Sequence, residues 1–159
     1  MLIGVVSDTH RDKSVFQKVA EVLQDTDLII HLGDNVQDVE GIKEYYKKKI
    51  INVRGNCDFG KKEPLELLEE VEGVKIFITH GHNYDVKYNI LKLKYRAEEL
   101  GADIALFGHT HVSVIEYEEG IWFMNPGSAS LPRDAYSSVA IIEINDRKIN
   151  PGIKLLQKE

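Results

Sequence analysis

The chain has 159 residues, 43% hydrophobic and 29% charged, with a formal net charge of −6. That length can bury a core of its own, and a single domain over residues 1–159 is expected. Basic residues are scattered apart from "KKK" at 47–49, which argues against an extended nucleic-acid surface, since such surfaces depend on clustered Lys and Arg.

The opening "MLIGVVSD" is apolar for six residues and lacks a basic flank, so no secretory leader is expected in it. Residues 2–7 read as a buried strand. "KSVFQKVAEVLQ" (13–24) carries apolar residues at helical spacing. "DLIIHLG" (27–33) reads as the second strand, followed by the amphipathic "DVEGIKEYYKKK" (38–49). "IINVRG" (50–55), "VKIFITH" (74–80) and "DIALFGH" (103–109) continue the strand series, with a helix "YNILKLKYRAEEL" (88–100) between the last two. Strands alternating with helices imply mostly parallel βαβ units.

After His111 the rhythm changes. Residues 112–125 read as a hairpin turning at Glu119-Gly120, and residues 138–156 as another turning at Asn145-Asp146. A second sheet packed on the first, with helices outside, accommodates both patterns. No apolar run approaches the roughly 18 residues of a membrane span. The lone Cys57 rules out an internal disulfide and suits a reducing cytoplasm.

Polar residues interrupt the strand ends in a regular way: "SDTH", "LGDN", "RGNCD", "THGH" and "FGHTH" each close one strand. In parallel α/β sheets, sites assemble outside the carboxyl ends of the strands. Asp8, His10, Asp34, Asn56, His80, His109 and His111 are therefore expected at one edge. Glycine precedes Asp34, Asn56 and His109, as a tight turn or close backbone approach requires. The spacings Asp8-x-His10 and His109-x-His111 are read as placing two side chains on one side of an extended segment.

Four imidazoles and two carboxylates in one cleft are costly unless partnered, and a divalent cation supplies the partner. The nitrogen and oxygen donors suit Mn²⁺, with Ni²⁺, Co²⁺, Fe or Zn²⁺ also compatible. Seven donors exceed the roughly four of a single structural zinc site. They fit two ions sharing a carboxylate, and Asp34 is the candidate bridge.

The ordered series "DTH…GDN…GNCD…THGH…GHTH", with "NPGS" at 125–128 and "PRD" at 132–134, resembles the calcineurin-like metallophosphoesterase superfamily. Within it, the series is similar to the small YfcE-like phosphodiesterases. The resemblance implies an α/β fold, a four-layer α/β/β/α sandwich with mixed sheets. It also implies a binuclear metal centre that hydrolyses phosphodiester bonds by attack of a metal-bridging hydroxide, with weak action on phosphomonoesters.

Carried over by motif, Asp8, His10 and His111 hold one metal, Asn56, His80 and His109 the other, and Asp34 bridges them. Asn56, His80 and His109 are also expected to serve catalysis. Many members carry a histidine where this chain has Cys57, and that histidine is thought to protonate the leaving group. Cys57 is instead read as a small, half-buried turn residue, as in the YfcE-like branch. A nucleophilic role lacks support, because a cysteine phosphatase needs an arginine at position 63, which is Glu63.

Asn56, His82 and Arg11 are the candidate substrate contacts. For His82 a loop residue without a role is the alternative, and for Arg11 a solvated surface cation. His31 is read as orienting a ligand, and Arg133 as bracing the "NPGS" loop. The substrate class is a small phosphodiester, with a homo-oligomer left open. The competing reading is a protein-docking module of the retromer-subunit type on the same fold.

Overall fold

Continuous apolar runs such as "LIGVV" and "LIIH" are what strands buried on both faces require. In the computed structural model, which describes residues 1–156, both runs are central strands. The last three residues of the domain expected over 1–159 lie outside the described part. The elements are β1 (Leu2–Val6), α1 (Ser14–Val22), β2 (Leu28–His31), α2 (Asp38–Lys43), β3 (Lys49–Asn52), β4 (Glu66–Val71), β5 (Val74–Thr79), α3 (Leu91–Leu100), β6 (Ile104–Leu106), β7 (Ser113–Glu118), β8 (Ile121–Pro126), β9 (Ser138–Asn145) and β10 (Lys148–Leu155). They make two five-stranded mixed sheets, ordered β10-β9-β1-β2-β3 and β4-β5-β6-β8-β7.

Three apolar clusters separate four layers, giving the α/β/β/α sandwich. Between the sheets lie Ile3, Val5, Leu28, Ile30, Ile76, Ile78, Ile104 and Ile142. The alternate residues Val6, Ile29 and Val139 face outward onto Phe16, Val19 and Ile42 of α1 and α2. On the far side, Phe77, Ala105 and Phe123 pack under Leu93 and Ala97 of α3. The inner strands thus feed two interfaces through their two-residue period. No helix among the described residues is long and apolar enough to cross a membrane.

Four details differ from the sequence expectation. Helix α2 ends at Lys43, and Lys49 is already in β3, where it pairs with Leu28 of β2. Strand β4 was not expected. Its burial alternates only partly, as suits an edge strand, and it joins β5 through Glu72-Gly73, with φ of 48° and 76°. The last hairpin turns at Asp146-Arg147, because Asn145 pairs with Lys148 and the two turn residues carry positive φ. Finally, β8 returns from its hairpin to run parallel to β6, so the second sheet mixes directions throughout.

Ile30 is fully buried between the sheets. Ile30→Ala should cost about 2–5 kcal/mol, read as a lower urea midpoint at unchanged denaturant slope.

Candidate metal centre

Strands β1, β2 and β3 in the first sheet and β5 and β6 in the second end at one edge. The segments that leave them carry all seven candidate ligands. Asp8, His10 and His111 offer donor atoms within 4.8 Å of one another, and so do Asp34, His80 and His109. The two groups touch: Asp34 Oδ2 lies 3.4 Å from His80 Nε2 and 4.0 Å from His10 Nε2.

The paired spacings work differently from the extended geometry expected. Asp8, His10, His109 and His111 all have φ between 46° and 69°. Left-handed turns, not a pleat, bring each pair to one side. Asp34, at φ 59°, shares this strain, which persists only where the surroundings enforce it.

Several contacts do the enforcing. The buried Asp58 carboxylate accepts the backbone N–H groups of Gly55, Asp34 and Val36 at 2.7, 3.0 and 2.9 Å. It clips the β2 and β3 loops together. Ser128 and Ser130 hydroxyls donate to the Asp8 carbonyl. The Asn125 amide donates to the Gly108 carbonyl and the Thr110 hydroxyl, so "NPGS" braces "GHTH". A Cβ on Gly108 would sit 2.1 Å from Ser7 Oγ, and one on Gly55 would sit 2.2 Å from Asp34 Oδ1. Only glycine admits that approach.

These braces aim the ligand atoms. Asp34 Oδ1 accepts the Cys57 N–H, leaving Oδ2 to face the imidazoles. Asp8 Oδ2 accepts Ser7 Oγ and the His109 N–H. His80 Nδ1 donates to the Leu32 carbonyl and His111 Nδ1 to the Leu131 carbonyl, so each Nε2 points inward. Fixing the far nitrogen in this way sets ring orientation at metal sites.

The electrostatics are those of a charged nest. Burial resists ionisation of Asp8, but the imidazoles of His10 and His111 beside it hold its carboxyl well below the usual range. Burial likewise opposes charge on Asp34, yet His80 and the Cys57 N–H lower it to about 2. His10 is raised by the Asp8 carboxylate beside it. His80 is raised against its burial by Asp34 and Asp8. His109 goes the other way, lowered to about 4 by burial and the neighbouring His80 charge, so its lone pair is free near neutral pH.

Asn56 joins the second group, its Oδ1 3.1 Å from His80 Nε2. The His82 ring stands 5.5 Å from that of His80. Arg11 is not brought to them. It is exposed and lines a separate groove with Phe16, Gln37 and Glu44. His31 reaches no ligand: it accepts the Gly33 N–H and contacts Thr9, which donates to Asp38. The Arg133 N–H donates to the His111 carbonyl, while Asp134 holds Ser113.

Cys57 is exposed rather than half-buried, because its N–H, not its side chain, is what the turn uses. Its thiol still falls within reach of His10 and Asp34, and burial and then the Asp34 charge push it up to about 11. Asp58, expected either to hydrogen-bond a ligand imidazole or to serve the turn, takes the turn role. Asn125 was expected only as part of "NPGS", and Asp38 was missed, its one signal being its position four residues after Asp34.

Residues 1–147 match the calcineurin-like phosphoesterase superfamily domain. The chain is 38% identical over 136 residues to the probable metallophosphoesterase YsnB of Bacillus subtilis, covering 84% of this chain and 78% of that protein. It is 30% identical over 120 residues to the phosphodiesterase YfcE of Escherichia coli, covering 64% and 60%. A crystal structure from Streptococcus pneumoniae, described as a predicted phosphoesterase, superposes with a TM-score of 0.83 at 35% identity, over 97% and 88% of the two chains. Vps29 of Entamoeba histolytica complexed with Zn²⁺ gives a TM-score of 0.78 over 99% and 100%, but at 20% identity that likeness shows the fold alone.

Removing the clip tests the scaffold. Asp58→Ala strands three buried N–H donors and should cost about 3 kcal/mol or more, with Asp58→Asn costing less because one acceptor oxygen survives. Urea midpoints of the two variants and the parent decide this.

Proposed function

Because the chain belongs to the calcineurin-like phosphoesterase superfamily, we propose that it is a phosphodiesterase. In this reading it works with two divalent cations, hydrolyses small phosphodiesters and acts more weakly on monoesters. One observation carries the reading. Asp8 Oδ1 is buried without a hydrogen-bond partner, yet lies 3.2, 3.6 and 3.8 Å from Nε2 of His111, His10 and His80. An orphaned carboxylate oxygen ringed by imidazole nitrogens fits a divalent cation that displaces their protons.

Asp8, His10 and His111 would hold one ion, Asn56, His80 and His109 the other, and Asp34 Oδ2 faces both groups. Mn²⁺ is the expected metal. When bound, such a pair withdraws charge from phosphoryl oxygens and acidifies water. The chain does the rest. The neutral His109 ring and the Asn56 amide orient the phosphoryl group, and the His82 ring stands 6.2 Å from that of His109. A thiol held near 11 is a weak proton donor at neutral pH, so Cys57 favours esters whose alcohol departs unprotonated. The docking alternative has the fold alone behind it.

Hydrolysis of a chromogenic aryl diester by chelator-stripped protein should be absent and should return with Mn²⁺. Asp34→Asn should lose more than the about 10–100-fold that removal of an outer partner costs. If no metal restores activity to folded protein, the docking reading takes its place.

Metal uptake should also depend on pH. His10 and His80 keep their protons above the ordinary histidine range, and a cation must displace them. Mn²⁺ affinity should therefore rise from about pH 6 to about pH 8 with net proton release, measured by calorimetry in buffers of different ionisation enthalpy.

A further inference from the structure

Beside the His80–His109 end of the cluster is a cavity of about 250 Å³, lined among others by Arg54, Asn56, Phe59, Leu65, His82 and Asn83. Its wall holds features that the metal cluster does not use. Phe59 is 90% exposed, an apolar ring left in water at the rim of a cleft. Arg54 Nε and His82 Nδ1 are buried without a hydrogen-bond partner, although Arg54 Nη1 donates to the Lys61 carbonyl. The cavity adjoins the cluster: Asn56 belongs to both, and the His82 ring lies 6.2 Å from that of His109.

Size and chemistry narrow the occupant. The volume falls below the roughly 300–1,000 Å³ of pockets for drug-sized ligands, so it admits one ring system and not a polymer. An aliphatic chain would cover Leu65 but leave the Phe59 face without a matching plane. A flat aromatic ring covers both.

We propose that this cavity is the subsite for one ester group of the substrate, and that it selects a planar aromatic group, aryl or nucleobase-bearing, stacked on Phe59 with Arg54 and His82 at its edge. The assignment rests on the phosphodiesterase reading of the adjoining cluster. It adds a substrate class, a phosphodiester with at least one aromatic ester group.

The test uses binding, so that leaving-group chemistry does not enter. Methyl benzylphosphonate places a phenyl ring where an aryl ester would carry it, through a bond that cannot be hydrolysed, and methyl propylphosphonate is its aliphatic counterpart. Titrated into zinc-loaded protein and followed by amide NMR, the benzyl compound should bind about threefold to tenfold tighter. Its shifts should fall on Gly55, Phe59 and Gly60. Phe59→Ala, at an exposed position that folding does not use, should bring the two affinities within about twofold. Equal affinities in the parent protein, or shifts confined to the Arg11 groove, would overturn the subsite.

Thymidine 5′-methylphosphonate distinguishes the sources. Tighter binding than the benzyl compound assigns a nucleobase, weaker binding a simple aryl group, and either order upholds the aromatic class. A benzyl preference without metal-restored hydrolysis sinks the phosphodiesterase reading and leaves an aromatic-anion site. Hydrolysis without the preference sinks the subsite alone.

Discussion

Two carboxylates, Asp8 and Asp34, are held almost out of water within reach of the same imidazoles. Like charges so placed repel and are poorly solvated, and much of the surrounding structure offsets that. Backbone N–H groups of His109 and Cys57 and the Ser7 hydroxyl each take one carboxylate oxygen. The opposite oxygens are left to face nitrogen. Carbonyls of Leu32 and Leu131 turn two of those imidazoles so that the same nitrogen of each ring points inward.

The strain needed for this is local, and its counterweights are local too. Five of the seven candidate ligands have left-handed φ, a conformation that non-glycine residues seldom adopt. They sit on short loops anchored by buried side chains. Asp58 fastens two loops within the first sheet. Ser128 and Ser130 fasten the β1 loop to the segment after β8. Asn125 fastens the loop after β6. Bracing residues next to the ligands in sequence thus hold loops far from them in sequence.

Much of this was legible before folding. Continuous apolar runs in "LIGVV" and "LIIH" mark strands covered on both faces, the family resemblance implies the four layers, and the strand-end motifs identify the edge where ligands gather. Other features depend on contacts that no local pattern carries. Strand β4 exists because β5 offers it an edge and because Arg96 of α3 grips Glu66 at 2.6 Å. The final turn shifts by one residue because the β9–β10 register fixes it. Cys57 is exposed because the chain turns outward there, which residue type does not disclose. Arg11 follows His10 directly, yet a left-handed φ at both positions sends its side chain to another groove.

The strand order has a consequence for how the chain is made. Strand β1 lies between β2, its near neighbour in sequence, and β9, whose pairing residues Ala140–Glu143 come near the end of the chain. While the chain is still being synthesised, the inner edge of β1 has no partner and Asp8 lacks the hydroxyls of Ser128 and Ser130. All the candidate ligands, from Asp8 to His111, precede in the chain both the serines that hold Asp8 and the strand β9 that pairs with β1. Completing the edge of β1 and the brace on Asp8 therefore needs residues from Ser128 to Glu143, all of which follow the last candidate ligand in the chain.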